Sequence, residues 1–280
     1  MKSMIIAIFS FLFSLSTIAN EPQPHEKILY KDVKGIKLNL HVYYPDDHKK
    51  TDKRPVIIFF HGGGWVRGAP VTFYRQCNYL ASRGMVAISA EYRLKSTHKT
   101  TPIECVKDAK SAIRWVRKNA AKLGIDPDKL IAGGGSAGGH IAAATGTATS
   151  FEEDTDDKSI SYRPQALVLF NPVYDNSKKG FAYKRVKRYW KEISPMHNLT
   201  KDTPPTIVML GTKDKLIPVA TAKKYKSEME ALGIRSDLYL YEGQQHAFFN
   251  YSISPEMHQK TTKDMDHFLS SLGYIKALDH

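Results

Sequence analysis

The residues of this chain best suited to chemistry fall in a few short stretches. One is Gly134-Gly135-Ser136-Ala137-Gly138, a Gly-x-Ser-x-Gly pattern set directly after the apolar run Leu130 to Ala132. Ala137 to Ala148 is rich in small residues and predicts a helix. A serine at such a strand-to-helix turn holds a strained backbone that glycine neighbours tolerate. Its hydroxyl is pushed clear of the chain, where a substrate carbonyl can reach it. Glycine and serine are common, so the pattern gains weight only from its company.

That company begins at His61-Gly62-Gly63-Gly64-Trp65, immediately after Pro55-Val-Ile-Ile-Phe-Phe60. The apolar run reads as a strand buried on both faces. Three successive glycines cost backbone entropy in a strand or helix, yet they let N–H groups turn toward one point. Acyl transfer needs such donors, because negative charge develops on the substrate oxygen in the transition state. A flexible turn is the bland alternative. A phosphate cradle is disfavoured, since no Gly-Lys-Ser or Gly-Lys-Thr follows in P-loop spacing.

Two more strand ends carry polar residues. Gly211-Thr-Lys-Asp214 places a carboxylate after one predicted strand, and Glu242-Gly-Gln-Gln-His246-Ala-Phe-Phe places a histidine after the next. A serine hydroxyl needs a base to take its proton. The imidazole in turn needs a carboxylate to set its tautomer and stabilise the cation. Alone, Asp214 reads as an ordinary turn aspartate. In the order serine, acid, histidine, each after a predicted strand, the set matches a hydrolase triad. His140, one helical turn past Ser136, is expected to pack beneath the turn, and His61 to order the glycine loop.

The elements that must position these residues follow from hydrophobic pattern. Glu26 to Val33 and Ile36 to Tyr44 predict a half-exposed hairpin turning at Lys34-Gly35. Strands are then expected at 55–60, 85–90, 129–133, 166–170, 205–210 and 237–241. Helices are expected at 71–82, 101–122, 137–148, 219–232 and 255–272, with an irregular insertion at 171–203. Such alternation implies a mostly parallel sheet with helices on both faces and ligands at the carboxyl ends of its strands.

With 280 residues, 42% of them hydrophobic, the chain is large enough for one substantial core. Residues 1–20 are assigned to a cleaved secretory signal: Lys2, the apolar run Ile5 to Leu15, then Thr17-Ile-Ala19. The run is shorter than a membrane span requires, so residues 21–280 are expected as one exported catalytic domain without stable membrane insertion. Only Cys77 and Cys105 are present. Two separate buried thiols are preferred over a disulfide, and neither thiol neighbours a glycine-rich turn or a base.

The net charge of +13 favours anionic surroundings. Its one concentrated source is Lys178 to Lys191, where seven lysines and arginines alternate with Phe181, Tyr183, Tyr189 and Trp190. A solvated helix face or a lid rim facing an anionic substrate fits this segment better than a nucleic-acid patch does.

From Ile28 to Leu272 the sequence resembles the α/β-hydrolase superfamily, and within it the hormone-sensitive-lipase-like and bacterial acetyl-esterase/feruloyl-esterase branch. The resemblance rests on His61-Gly-Gly-Gly-Trp65, Glu91-Tyr-Arg-Leu94, Gly134-Gly-Ser-Ala-Gly-Gly139, Gly211-Thr-Lys-Asp214 and Gly243-Gln-Gln-His246-Ala-Phe-Phe249. It implies Ser136 as nucleophile, His246 as general base and then acid, and Asp214 as its orienting carboxylate. It also implies oxyanion donors in the N–H groups of Gly63, Gly64 and Ala137, with no metal or cofactor.

Two departures stand out. Hormone-sensitive-lipase-like members usually carry Asp where this chain has Gly135, and a helical N-terminal cap where Glu26 to Tyr44 reads as strands. Both shift the expectation from lipid esters toward short acyl groups, above all acetyl, on carbohydrate. Feruloyl and lipid-type esterases remain the nearest alternatives, with a peptidase or a noncatalytic binding protein behind them.

Overall fold

The computed structural model describes residues 21–278. The secretory signal assigned to residues 1–20 lies outside the described residues. An eight-stranded sheet in the order β1-β2-β4-β3-β5-β6-β7-β8 organises the chain. The hairpin β1 (Glu26–Val33) and β2 (Ile36–Tyr43) joins antiparallel to β4 (Val86–Ala90). The remaining strands run parallel: β3 (Arg54–Phe60), β5 (Ile125–Gly135), β6 (Ala166–Phe170), β7 (Thr206–Gly211) and β8 (Ser236–Tyr241).

Among the described residues, five long helices cover the two faces: α1 (Tyr74–Ser82), α2 (Pro102–Lys118), α3 (Ala137–Thr147), α4 (Val219–Ala231) and α5 (Pro255–Ser271). Alternate residues of the central strands feed two cores. Val56, Ile58 and Phe60 of β3 face α2 and α3, whereas Ile57 and Phe59 face α1 and α5. That two-sided burial is why β3 reads as an unbroken apolar run. Among the described residues no helix is long and apolar enough to cross a membrane.

Three details depart from expectation. The helix expected at 101–122 is two: α2 ends where Asn119 leaves helical geometry (φ −103°, ψ 21°), and Ala120–Leu123 forms a separate turn closed by left-handed Gly124. At its start the Thr101 hydroxyl accepts the Ile103 N–H while the Glu104 carboxylate accepts that of Thr101, a reciprocal cap. The hairpin is also less exposed than its alternation suggests. Lys31 is buried and pairs with Asp108 at 2.7 Å and Glu153 at 2.9 Å, and Arg93 joins both acids. Buried charge survives because each group meets an opposite one. Within 171–203, short turns form at Tyr183–Val186 and Trp190–Ile193. The whole segment lies between β6 and β7, against the carboxyl end of the sheet.

Candidate active site

Parallel register brings the sequence features together. Phe60 of β3 pairs with Gly134 of β5, so the glycine loop and the serine turn leave the sheet side by side. β7 and β8 end in register at Gly211 and Tyr241, which delivers Asp214 and His246 to the same edge. All of these residues follow the carboxyl ends of parallel strands.

Ser136 occupies the turn between β5 and α3 at φ 54°, ψ −118°, a region L-residues rarely adopt. Its N–H donates to Phe170 at 2.9 Å, and its carbonyl accepts from Val173 at 3.2 Å. These bonds to β6 and the start of the insertion hold the strained residue in place. The Ser136 Oγ lies 2.8 Å from His246 Nε2, and His246 Nδ1 lies 2.7 Å from Asp214 Oδ2. The second carboxylate oxygen of Asp214 accepts the N–H groups of Leu216 (2.8 Å) and Ile217 (3.0 Å). The Asp214 side chain is fully buried, while that of His246 keeps 19% exposure. A buried carboxylate with its lone pairs occupied therefore orients an imidazole that solvent and substrate can still reach.

The predicted donors stand beside this chain of bonds. Gly63 holds φ +114°, and a methyl group there would fall 1.8 Å from the Arg67 carbonyl, so only glycine fits. Among the described residues, the N–H groups of Gly63 and Gly64 have no hydrogen-bond acceptor. Ala137 is the first residue of α3, where N–H groups lack intrahelical partners.

His61 and His140 have structural positions, as expected. The buried His61 donates from Nδ1 to the Gly62 carbonyl at 2.8 Å and stacks on Tyr92 at 4.4 Å. The Tyr92 hydroxyl donates to the His61 carbonyl at 2.7 Å, which explains why the Glu91-Tyr-Arg-Leu94 stretch matters to the loop. The buried His140 donates from Nε2 to the Ile193 carbonyl at 2.9 Å and meets Trp65 edge to face. Burial lowers both imidazoles to about 4.

Two positioning residues escaped the sequence reading. Asn171, at φ 34° just past β6, accepts the Ala247 N–H through Oδ1 at 2.9 Å and so fixes the backbone next to His246. Its place after an apolar strand was the available signal. Arg185, in the basic segment, donates to the Gly64 carbonyl and lies over the Trp65 ring at 5.8 Å. The insertion therefore clamps the glycine loop, a contact 121 residues apart in sequence that local pattern does not reveal.

The chain is similar to several known proteins. The BD-FAE family model matches residues 40–229. Esterase 2 of the planctomycete Thermogutta terrifontis, solved with propionate bound, shares 41% identity at a TM-score of 0.88 over 93% of this chain and 98% of that one. The same enzyme phosphorylated by paraoxon gives 42% identity and a TM-score of 0.86 over 90% and 96%. Esterase LipC of Mycobacterium tuberculosis is 27% identical over 71% of this chain and 54% of its own length. The chain spans about half the length of the first curated relatives it matches. With an α/β-hydrolase sheet and a family match running from β2 through α4, this chain belongs to the BD-FAE family.

Proposed function

We propose that the protein is a serine carboxylic ester hydrolase that cleaves short acyl esters, acetyl on carbohydrate above all, and that it is exported. The observation that carries the reaction is the continuous bonding from Asp214 through His246 to Ser136, set beside unpaired Gly63 and Gly64 N–H groups.

In this reading His246 Nε2 takes the proton of Ser136 as Oγ attacks the ester carbonyl. The resulting oxyanion accepts from Gly63, Gly64 and Ala137, each well-aimed donor being worth roughly 3–4 kcal/mol. Asp214 stabilises the imidazolium. The proton then passes from His246 to the departing alcohol as the carbonyl–oxygen bond breaks, leaving an acyl-serine. Water, deprotonated by His246, attacks that carbonyl, and the proton returns to Ser136 Oγ as the acid leaves.

The preference for short acyl groups is supported by the insertion, which presents lysines, arginines and aromatic rings rather than an apolar lid. It is supported also by the similar Thermogutta esterase having been solved with propionate and with butyrate. Export rests on the character of residues 1–20. Sequencing the N-terminus of the protein recovered outside the cytoplasm tests it: a chain retaining residue 1 in the cytoplasm refutes export.

Turnover of nitrophenyl esters of two to twelve carbons, acetylated xylan, methyl ferulate and an aminoacyl anilide tests the substrate. Acetyl compounds are expected to lead. Fastest cleavage of the ferulate or of the dodecanoate moves the substrate to the corresponding ester, and fastest cleavage of the anilide rejects the esterase reading. Ser136→Ala is expected to lower kcat by several orders of magnitude with an unchanged fold.

A further inference from the structure

A cavity of about 350 Å³ lies between the insertion and the loop that carries Asp214. Its volume is that of a small-molecule site. Leu216 and Ile217, whose N–H groups bind Asp214, form one wall. Tyr174 and Phe181 of the insertion form the other. Tyr174 follows the residue whose N–H donates to the Ser136 carbonyl, and Phe181 packs against Trp65 of the glycine loop. The cavity is thus lined by the loop holding the acid and by insertion residues that neighbour the serine turn and the glycine loop. The Tyr174 hydroxyl is buried with no hydrogen-bond partner among the described residues.

Two cations stand in the lining, Lys179 from the insertion and Lys215 from the Asp214 loop. Both are exposed, and neither forms an ion pair among the described residues. The single carboxylate of the lining, Asp175, accepts the Ser177 N–H at 2.8 Å. The balance in the cavity is therefore positive.

Resting on the hydrolase reading above, we propose that this cavity receives the alcohol portion of the ester and that Lys179 and Lys215 select an alcohol carrying a carboxylate, as in an acidic sugar. The acyl group of that reading is acetyl, so a cavity of this size is left to the alcohol, and its walls come from the Asp214 loop and from the insertion residue next to Val173. Lysine pairs with a carboxylate as a point charge, while Phe181 and Leu216 offer apolar surface to a sugar ring.

The test compares kcat/KM for monoacetylated methyl glucuronide and monoacetylated methyl glucoside at low salt, with nitrophenyl acetate as the common reference for the unmodified enzyme. The glucuronide is expected to lead by about tenfold, the scale of two partly exposed ion pairs, and its lead is expected to shrink as salt is raised. The pair Lys179→Gln and Lys215→Gln should bring the ratio to within about twofold, mostly through KM. Lys179→Arg with Lys215→Arg should preserve it. Equal rates on the two sugars, alongside turnover of nitrophenyl acetate, overturn the subsite and leave the esterase reading standing. So does a ratio that survives the glutamine pair. Inertness toward every ester overturns both.

Discussion

The ring of Phe249 fills the space in which a side chain on residue 135 would stand: a methyl group on Gly135 would lie 2.4 Å from Phe249 Cζ. Phe249 cannot yield easily, because it is wedged between Phe170 at 4.7 Å and Phe73 at 5.7 Å. The residue before the serine is therefore glycine for a steric reason, and the space is taken by the third residue after His246. The loop of the histidine and the turn of the serine are packed as one unit.

Gly135→Ala should accordingly destabilise the protein by about 1–3 kcal/mol through overpacking, and it should also lower kcat by disturbing the serine turn. Phe249→Leu, which shortens the obstructing side chain, should restore part of the loss, so that the double variant is more stable than the sum of the singles predicts. Thermal unfolding of the four proteins measures this. Strict additivity would refute the packing account.

Arg185→Ala should lower kcat several-fold with little change in KM, because the lost guanidinium frees the Gly64 carbonyl and loosens a loop whose donors act on the transition state. Steady-state kinetics on a short nitrophenyl ester reads the split. A change confined to KM would instead assign Arg185 to substrate binding.

Acid should destabilise the fold through His61 and His140. Burial depresses both from an ordinary value near 6.5 to about 4. Between those values the unfolded chain binds protons that the native state refuses, so their contribution is full above pH 6.5 and is lost as pH falls toward 4. The loss approaches roughly 1.4 kcal/mol per pH unit for each ring in that window. Urea unfolding at pH 7 and pH 5 should show a smaller drop for His140→Gln than for the unmodified protein, by on the order of 1–2 kcal/mol. Identical drops would count against the assignment.

Cys77 and Cys105 are free and buried, and burial raises both thiols well above their usual range. A thiol reagent at pH 8 should label neither in the folded protein and both in urea, without prior reduction. Labelling that appears only after reduction would indicate a disulfide.

Much of the architecture was legible along the chain because it depends on neighbours in sequence. β3 announced itself as an unbroken apolar run, α3 as a string of small residues, and the glycine loop, Ser136, Asp214 and His246 each as polar interruptions after an apolar strand. Chain order alone was enough to group the last three as candidates. Local pattern was silent wherever an interaction joins distant segments. In a hairpin that reads as half-exposed, nothing local marks Lys31 as buried; Asp108 and Glu153 come to it across 77 and 122 positions. The basic stretch 178–191 reads as a solvated helix face or a lid rim, and only the fold shows that one of its arginines holds Gly64 and one of its lysines lines a cavity with Lys215. Periodicity reports which face of an element is apolar. Only tertiary structure decides which charges and lone pairs meet, because that depends on how the sheet stacks its strand ends. It is this stacking that set Ser136, His246 and Asp214 at 2.8 and 2.7 Å.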